Sequence, residues 1–140
     1  MILYIDTSTL LKLYVDEADS EHIERLVESA AQSSTSLIAY AEMQAGLSRA
    51  RRVGRLPDEA YRFALAGFEE LWDTMFTIEV LEPLIRFGGE LARRYPLRGF
   101  DAVHLASAIS LLRSSEQQII FSSADSQLIR AARAEGLVVA

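Results

Sequence analysis

Short runs rich in β-branched and aromatic residues alternate with helical patterns along the whole chain, and that alternation is the signature of a largely parallel sheet covered by helices on both faces. Strands are expected near Ile2 to Ile5, Ser34 to Leu37, Phe76 to Val80, Gln118 to Ser122 and Leu137 to Val139. Helices are expected near Ser8 to Val15, Ser20 to Gln32, Ala39 to Val53, Asp58 to Thr74, Pro83 to Arg94, Asp101 to Arg113 and Ser126 to Glu135. Pro57 ahead of Asp58-Glu59 and the pair Glu82-Pro83 open two of these helices, while Gly54 and Gly136 close two others. The pattern predicts an α/β fold, a three-layer α/β/α sandwich around a mainly parallel sheet of about five strands. At 140 residues the chain fits a single domain, 1–140, large enough to bury a substantial core.

Several chemistries are excluded at once. There is no cysteine, hence no disulfide, thiolate zinc site or Cys nucleophile, and His22 and His104 are too few for a His-rich zinc site. The stretch Met1 to Val15 is broken by Asp6 and Lys12 and has no basic leader, and no run approaches the ~18 apolar residues of a membrane span. A soluble, cytoplasmic protein is expected.

Four acids stand where a phosphate-handling site would need them. Asp6 follows Ile2-Leu3-Tyr4-Ile5, and Asp125 follows Ile119-Ile120-Phe121-Ser122-Ser123, so both fall beyond the carboxyl ends of strands, where open α/β sheets place their ligand crevice. Glu42 lies on the first mid-chain helix and Asp101 opens a late helix that is apolar nearly all round. Clustered carboxylates repel one another, and a hard divalent cation such as Mg²⁺ or Mn²⁺ is the usual reason to keep them close. Each Asp also stands where it can cap a helix, a role that needs no chemistry. His104 is expected to be a core histidine with its ring satisfied, able to orient Asp101. The net charge of −6 does not argue against a phosphate substrate: with those four acids set aside from the 20, 16 acids face 14 bases, and bound cations reverse the sign at the crevice itself.

Taken together, Ile5-Asp6-Thr7-Ser8-Thr9-Leu10-Leu11-Lys12-Leu13-Tyr14-Val15-Asp16-Glu17, Ala39-Tyr40-Ala41-Glu42, Arg98-Gly99-Phe100-Asp101-Ala102-Val103-His104-Leu105-Ala106 with Ala108, and Ser123-Ala124-Asp125 occur in an order that resembles the PIN-domain ribonucleases, and among them the VapC-type toxins of bacterial and archaeal toxin–antitoxin pairs. The resemblance implies a PIN-like fold and a divalent-metal-dependent endoribonuclease. Asp6, Glu42, Asp101 and Asp125 would be its metal-binding and catalytic acids, with Ser8 and Ser123 as hydroxyl partners; Ser123 stands where the family usually has Thr. It further implies Mg²⁺ or Mn²⁺ as cofactor, RNA as substrate, and a VapB-type antitoxin and a second copy of the chain as partners. A cation so held lowers the pKa of a bound water and orients the phosphodiester, so no protein nucleophile is needed.

Other readings fare worse on particular residues. A haloacid-dehalogenase-type phosphatase wants a second Asp two positions after Asp6, where Ser8 stands, and a response-regulator receiver wants a Lys after a late strand, whereas the only Lys is Lys12. A catalytically silent PIN-like module that only binds RNA or protein remains the alternative. Arg49, Arg51, Arg52 and Arg55 suit either RNA phosphates or a solvated helix end, and Tyr61, Leu65, Phe68, Trp72 and Met75 form a helical stripe that is either core or a groove for a partner helix.

Overall fold

A computed structural model describes residues 1–140. Five strands, β1 (Ile2–Ile5), β2 (Gln32–Ser36), β3 (Phe76–Ile78), β4 (Ile119–Ser122) and β5 (Val138–Val139), form one sheet in the order β3-β2-β1-β4-β5 with every pairing parallel. Helices α1 (Thr7–Leu11), α2 (Ser20–Ser29), α3 (Ala39–Arg52), α4 (Asp58–Thr74), α5 (Glu82–Arg94), α6 (Gly99–Ser114) and α7 (Ser126–Ala134) connect them. The expected sandwich is present. No helix is long and apolar enough to cross a membrane.

The central strand β1 is buried on both faces, and its alternation divides the core. Ile2 and Tyr4 point to a cluster with Leu105, Phe121 and Leu128, while Leu3 and Ile5 point to a second cluster with Leu10, Met43, Leu47 and Phe68. From β1 the chain winds outward to β2 and β3, then returns to β4 and β5 on the other side. The strand order therefore reverses between β1 and β4, and the carboxyl ends of those two strands frame the natural crevice.

Three local expectations shift under tertiary constraints. The helix expected over Ser8 to Val15 is α-helical only to Leu11, after which Lys12, Leu13 and Tyr14 donate to carbonyls three residues back. Lys12 is drawn to Asp19 at 2.6 Å, and Tyr14 turns edge-on to Phe68. The second helix stops at Ser29 rather than Gln32, because Gln32 is claimed by the ladder opposite Ile2. Strand β2, Gln-Ser-Ser-Thr-Ser, is polar yet buried from Ser34 to Ser36. Its hydroxyls are consumed internally, Ser34 donating to the Phe76 carbonyl and Thr35 to that of Ile5, so burial leaves nothing orphaned. Of the stripe Tyr61, Leu65, Phe68, Trp72 and Met75, Phe68 and Met75 are buried in the second cluster, and Tyr61, Leu65 and Trp72 pack against it half-buried.

Candidate active site

Asp6 ends β1 and begins α1. It is only 2% exposed and fully engaged: Oδ1 accepts from the Thr9 amide at 3.0 Å and the Ser8 hydroxyl at 2.7 Å, and Oδ2 accepts from the Ser123 hydroxyl at 2.6 Å. Asp125 accepts from the Leu128 amide as cap of α7. Both acids therefore do cap helices. Capping does not exclude a second role, because a carboxylate offers about four acceptor positions. Ser8 and Ser123 also bind the amides of Ala124 and Asp125, tying the end of β1 to the end of β4.

Asp101 sits in the first turn of α6, whose cap position is Arg98; the helix begins two residues earlier than expected, and Asp101 is not its cap. Burial pushes the Asp101 carboxyl above the ordinary aspartate range, with Asp125 and Asp6 adding repulsion and Arg98 working against them. Arg98 was given no role by sequence. Its Nε donates to Asp101 Oδ2 at 3.1 Å, its Nη2 lies 3.9 Å from Asp125 Oδ2, and it also feels the charge of Glu42. Glu42, Asp101 and Asp125 thus share one exposed cation.

Glu42, in the first turn of α3, is held by a buried polar chain. Thr7 Oγ1 donates to Glu42 Oε1 at 2.7 Å, His104 Nε2 lies 2.7 Å from the same oxygen, and Tyr4 Oη lies 2.9 Å from His104 Nδ1. The assignment that serves every partner has Tyr4 donating to Nδ1 and Nε2–H donating to Glu42. Burial works to raise the Glu42 carboxyl, but the hydrogen bonds from His104 and Thr7 and the charge of Arg98 hold it below the usual range; burial pushes the Tyr4 phenol well up. His104 is a satisfied core histidine as expected, but it orients Glu42, not Asp101. An apolar strand with one Tyr was the available clue, since a buried phenol needs a partner.

A cleft of about 410 Å³ is lined by Glu42, Arg98, Gly99, Phe100 and Asp101. Asp6 and Asp125 are not part of its lining and act on Asp101 through charge, as Asp125 does on Arg98. As the side chains stand, no three of the acids are close enough together to hold an ion. The donor chemistry nonetheless suits Mg²⁺ or Mn²⁺, being hard carboxylate oxygen throughout. Of the arginine cluster, Arg51 pairs with Asp58, Arg55 approaches Glu17 and Arg52 donates to Ser48, and none lines the cleft.

The PIN-domain family description matches residues 3–134. The chain belongs to the PIN-domain family. It is similar to Ribonuclease VapC45 and Ribonuclease VapC49 from two strains of Mycobacterium tuberculosis, CDC 1551 / Oshkosh and ATCC 25618 / H37Rv, each 31% identical over 139 residues and covering 99% of this chain and 94% of the relative. Its fold is that of VapBC2 from Rickettsia felis, crystallised with a DNA fragment from the promoter, at a TM-score of 0.66 and 18% identity over 100% of this chain and 98% of that one.

The opposite shifts of the two acids in this PIN domain make a first prediction. In the metal-free protein, a ¹³C NMR titration should find Asp101 taking its proton above the ordinary aspartate range and Glu42 below the ordinary glutamate range. The signs follow by linkage: ionised Asp101 opposes folding and acidification relieves it, whereas ionised Glu42 favours folding and that contribution is lost as pH falls through its lowered pKa. A lowered Asp101 or a raised Glu42 would contradict the arrangement described.

Proposed function

We propose that the chain is a divalent-metal-dependent endoribonuclease, the toxin of a VapBC-type pair. The observation that carries the reading is the approach of Asp101, Asp125 and Glu42 to Arg98, with Asp6 acting on Asp101 through charge, beside the reversal of strand order, in a chain 31% identical over nearly its whole length to proteins named Ribonuclease VapC. Asp6, Glu42, Asp101 and Asp125 would hold Mg²⁺ or Mn²⁺, with Ser8 and Ser123 orienting Asp6. When bound, the cation supplies activation of water and stabilisation of charge on the phosphodiester. The chain's own part is placement. Thr7 and His104 fix the Glu42 carboxylate, Ser8, Ser123 and the Thr9 amide fix Asp6, and rigid ligands are what such a site requires.

A VapB-type antitoxin is the expected partner, supported by the VapBC2 assembly that shares the fold, and a second copy of the chain is the other. Cleavage of single-stranded RNA should require Mg²⁺ or Mn²⁺ and cease on chelation. The same ions should stabilise the metal-free protein, by about 2.7 kcal/mol at a hundredfold excess over Kd, read as a rise of several degrees in melting temperature that Glu42→Gln blunts. A melt indifferent to millimolar divalent ions, together with intact RNA, would favour a silent PIN-like binding module.

A further inference from the structure

Phe100 is a large apolar side chain that neither core cluster claims. It is 63% exposed and immediately precedes Asp101 on the first turn of α6. It borders two hollows at once: the acidic cleft, and an apolar hollow of about 300 Å³ between α5 and α6 whose walls include Ile85, Gly88, Ala92 and Val103. Gly89 and Gly99 on that wall carry no side chain and face open space, with no other element within 4 Å of where a Cβ would stand. Beside it, the Arg98 side chain is 84% exposed. Its one hydrogen bond is from Nε to Asp101, which leaves both terminal amino groups without a hydrogen-bond partner.

We propose that Phe100 and Arg98 grip the RNA strand: the ring stacks on the base next to the phosphodiester to be cut, and the guanidinium takes a phosphate of the same strand. The proposal rests on the ribonuclease reading and adds what holds the substrate. A phosphodiester entering a cleft walled by Glu42 and Asp101 meets like charge, and Arg98 is the only cation in the lining. Guanidinium suits phosphate through paired N–H donors. A base is neutral and presents a π-face, which suits an exposed ring opening on an apolar hollow, and a cationic groove with a stacking aromatic is how single strands are held with little regard to sequence. Phe100 and Arg98 stand two residues apart on either side of Gly99, so base and phosphate contacts fall within neighbouring nucleotides of one strand.

The test measures binding by fluorescence anisotropy, using the full chain in an Asp6→Asn background to prevent turnover. The probes are a fluorescein-labelled single-stranded oligoribonucleotide and an abasic ribose-phosphate oligomer of the same length. Phe100→Ala should weaken binding of the base-bearing strand about 5- to 150-fold, leave the abasic strand unchanged, and be rescued by Phe100→Trp. Arg98→Ala should weaken both strands and reduce the slope of log K against log salt by about 0.7. Phe100 is exposed, so its variants should keep the parent's melting temperature and its response to Mg²⁺. Normal RNA binding by Phe100→Ala, or equal losses on both oligomers, would overturn the stacking role and leave the ring to a protein partner. An active parent chain that cleaves RNA with the same KM when Phe100 is Ala would overturn it too while leaving the ribonuclease reading intact. A parent that neither binds nor cleaves RNA would overturn both.

Discussion

Replacing Asp6 or Asp101 by Asn should abolish RNA cleavage, by about a thousandfold or more, while leaving the fold intact. The loss follows if either carboxylate holds the cation: an amide is a poor ligand for a hard ion and carries no compensating charge, and losing ~4 kcal/mol of the stabilisation a metal gives the transition state corresponds to about that factor. The fold should survive for reasons particular to each residue. In Asp6→Asn the side-chain oxygen still accepts from the Thr9 amide and the Ser8 hydroxyl, and the new NH₂ meets the Ser123 oxygen, which turns from donor to acceptor. In Asp101→Asn a carboxylate that burial and its neighbours disfavour becomes neutral, at the cost of an exposed contact with Arg98. Expression in a bacterial host should give growth arrest with the parent and none with the variants, alongside superimposable circular dichroism spectra. If Asp6→Asn unfolds the protein, Asp6 is chiefly a cap; if both variants cleave RNA at the parent's rate, the acids are not the catalytic set.

His104→Ala should damage stability and activity together. The ring is buried between Tyr4 and Glu42 with both nitrogens engaged. Its removal opens a cavity and leaves a buried phenol and a half-buried carboxylate short of a partner, together ~3–5 kcal/mol, a large share of the 5–15 kcal/mol typical of a domain. Urea unfolding should show a lower midpoint with an unchanged slope. Glu42, no longer clamped, should cost about 10- to 100-fold in cleavage. Adding Tyr4→Phe removes the stranded hydroxyl and should recover part of the stability with none of the activity. A variant that melts and cleaves like the parent would show that the chain from Tyr4 to Glu42 organises nothing.

The features legible from residue order alone are local ones. Alternating periodicities announced a parallel sheet between helix layers; α4 runs from Asp58 to Thr74 and β1 from Ile2 to Ile5, as read. The positions of Asp6 and Asp125 were legible because a carboxylate just past an apolar strand is a statement about neighbouring residues, whereas Ser8 and Ser123 came only through the family resemblance, and the structure has both donating to Asp6. The tertiary structure decided what depends on distant segments meeting. The strand order, and with it the reversal between β1 and β4, is a matter of which ladders pair, which periodicity does not encode. Strand β2 reads as polar, and only the packing around it makes Ser34, Thr35 and Ser36 interior. The chain Tyr4–His104–Glu42 joins residues 100 and 62 positions apart, and Arg98, seen in sequence only as part of a motif, becomes the counter-ion of Asp101 and Asp125 because α6 carries it to the ends of β1 and β4. Hydrogen bonds and charges act over a few ångströms of space whatever the separation along the chain, so the residues that orient a carboxylate come into view only when the fold has brought them to it.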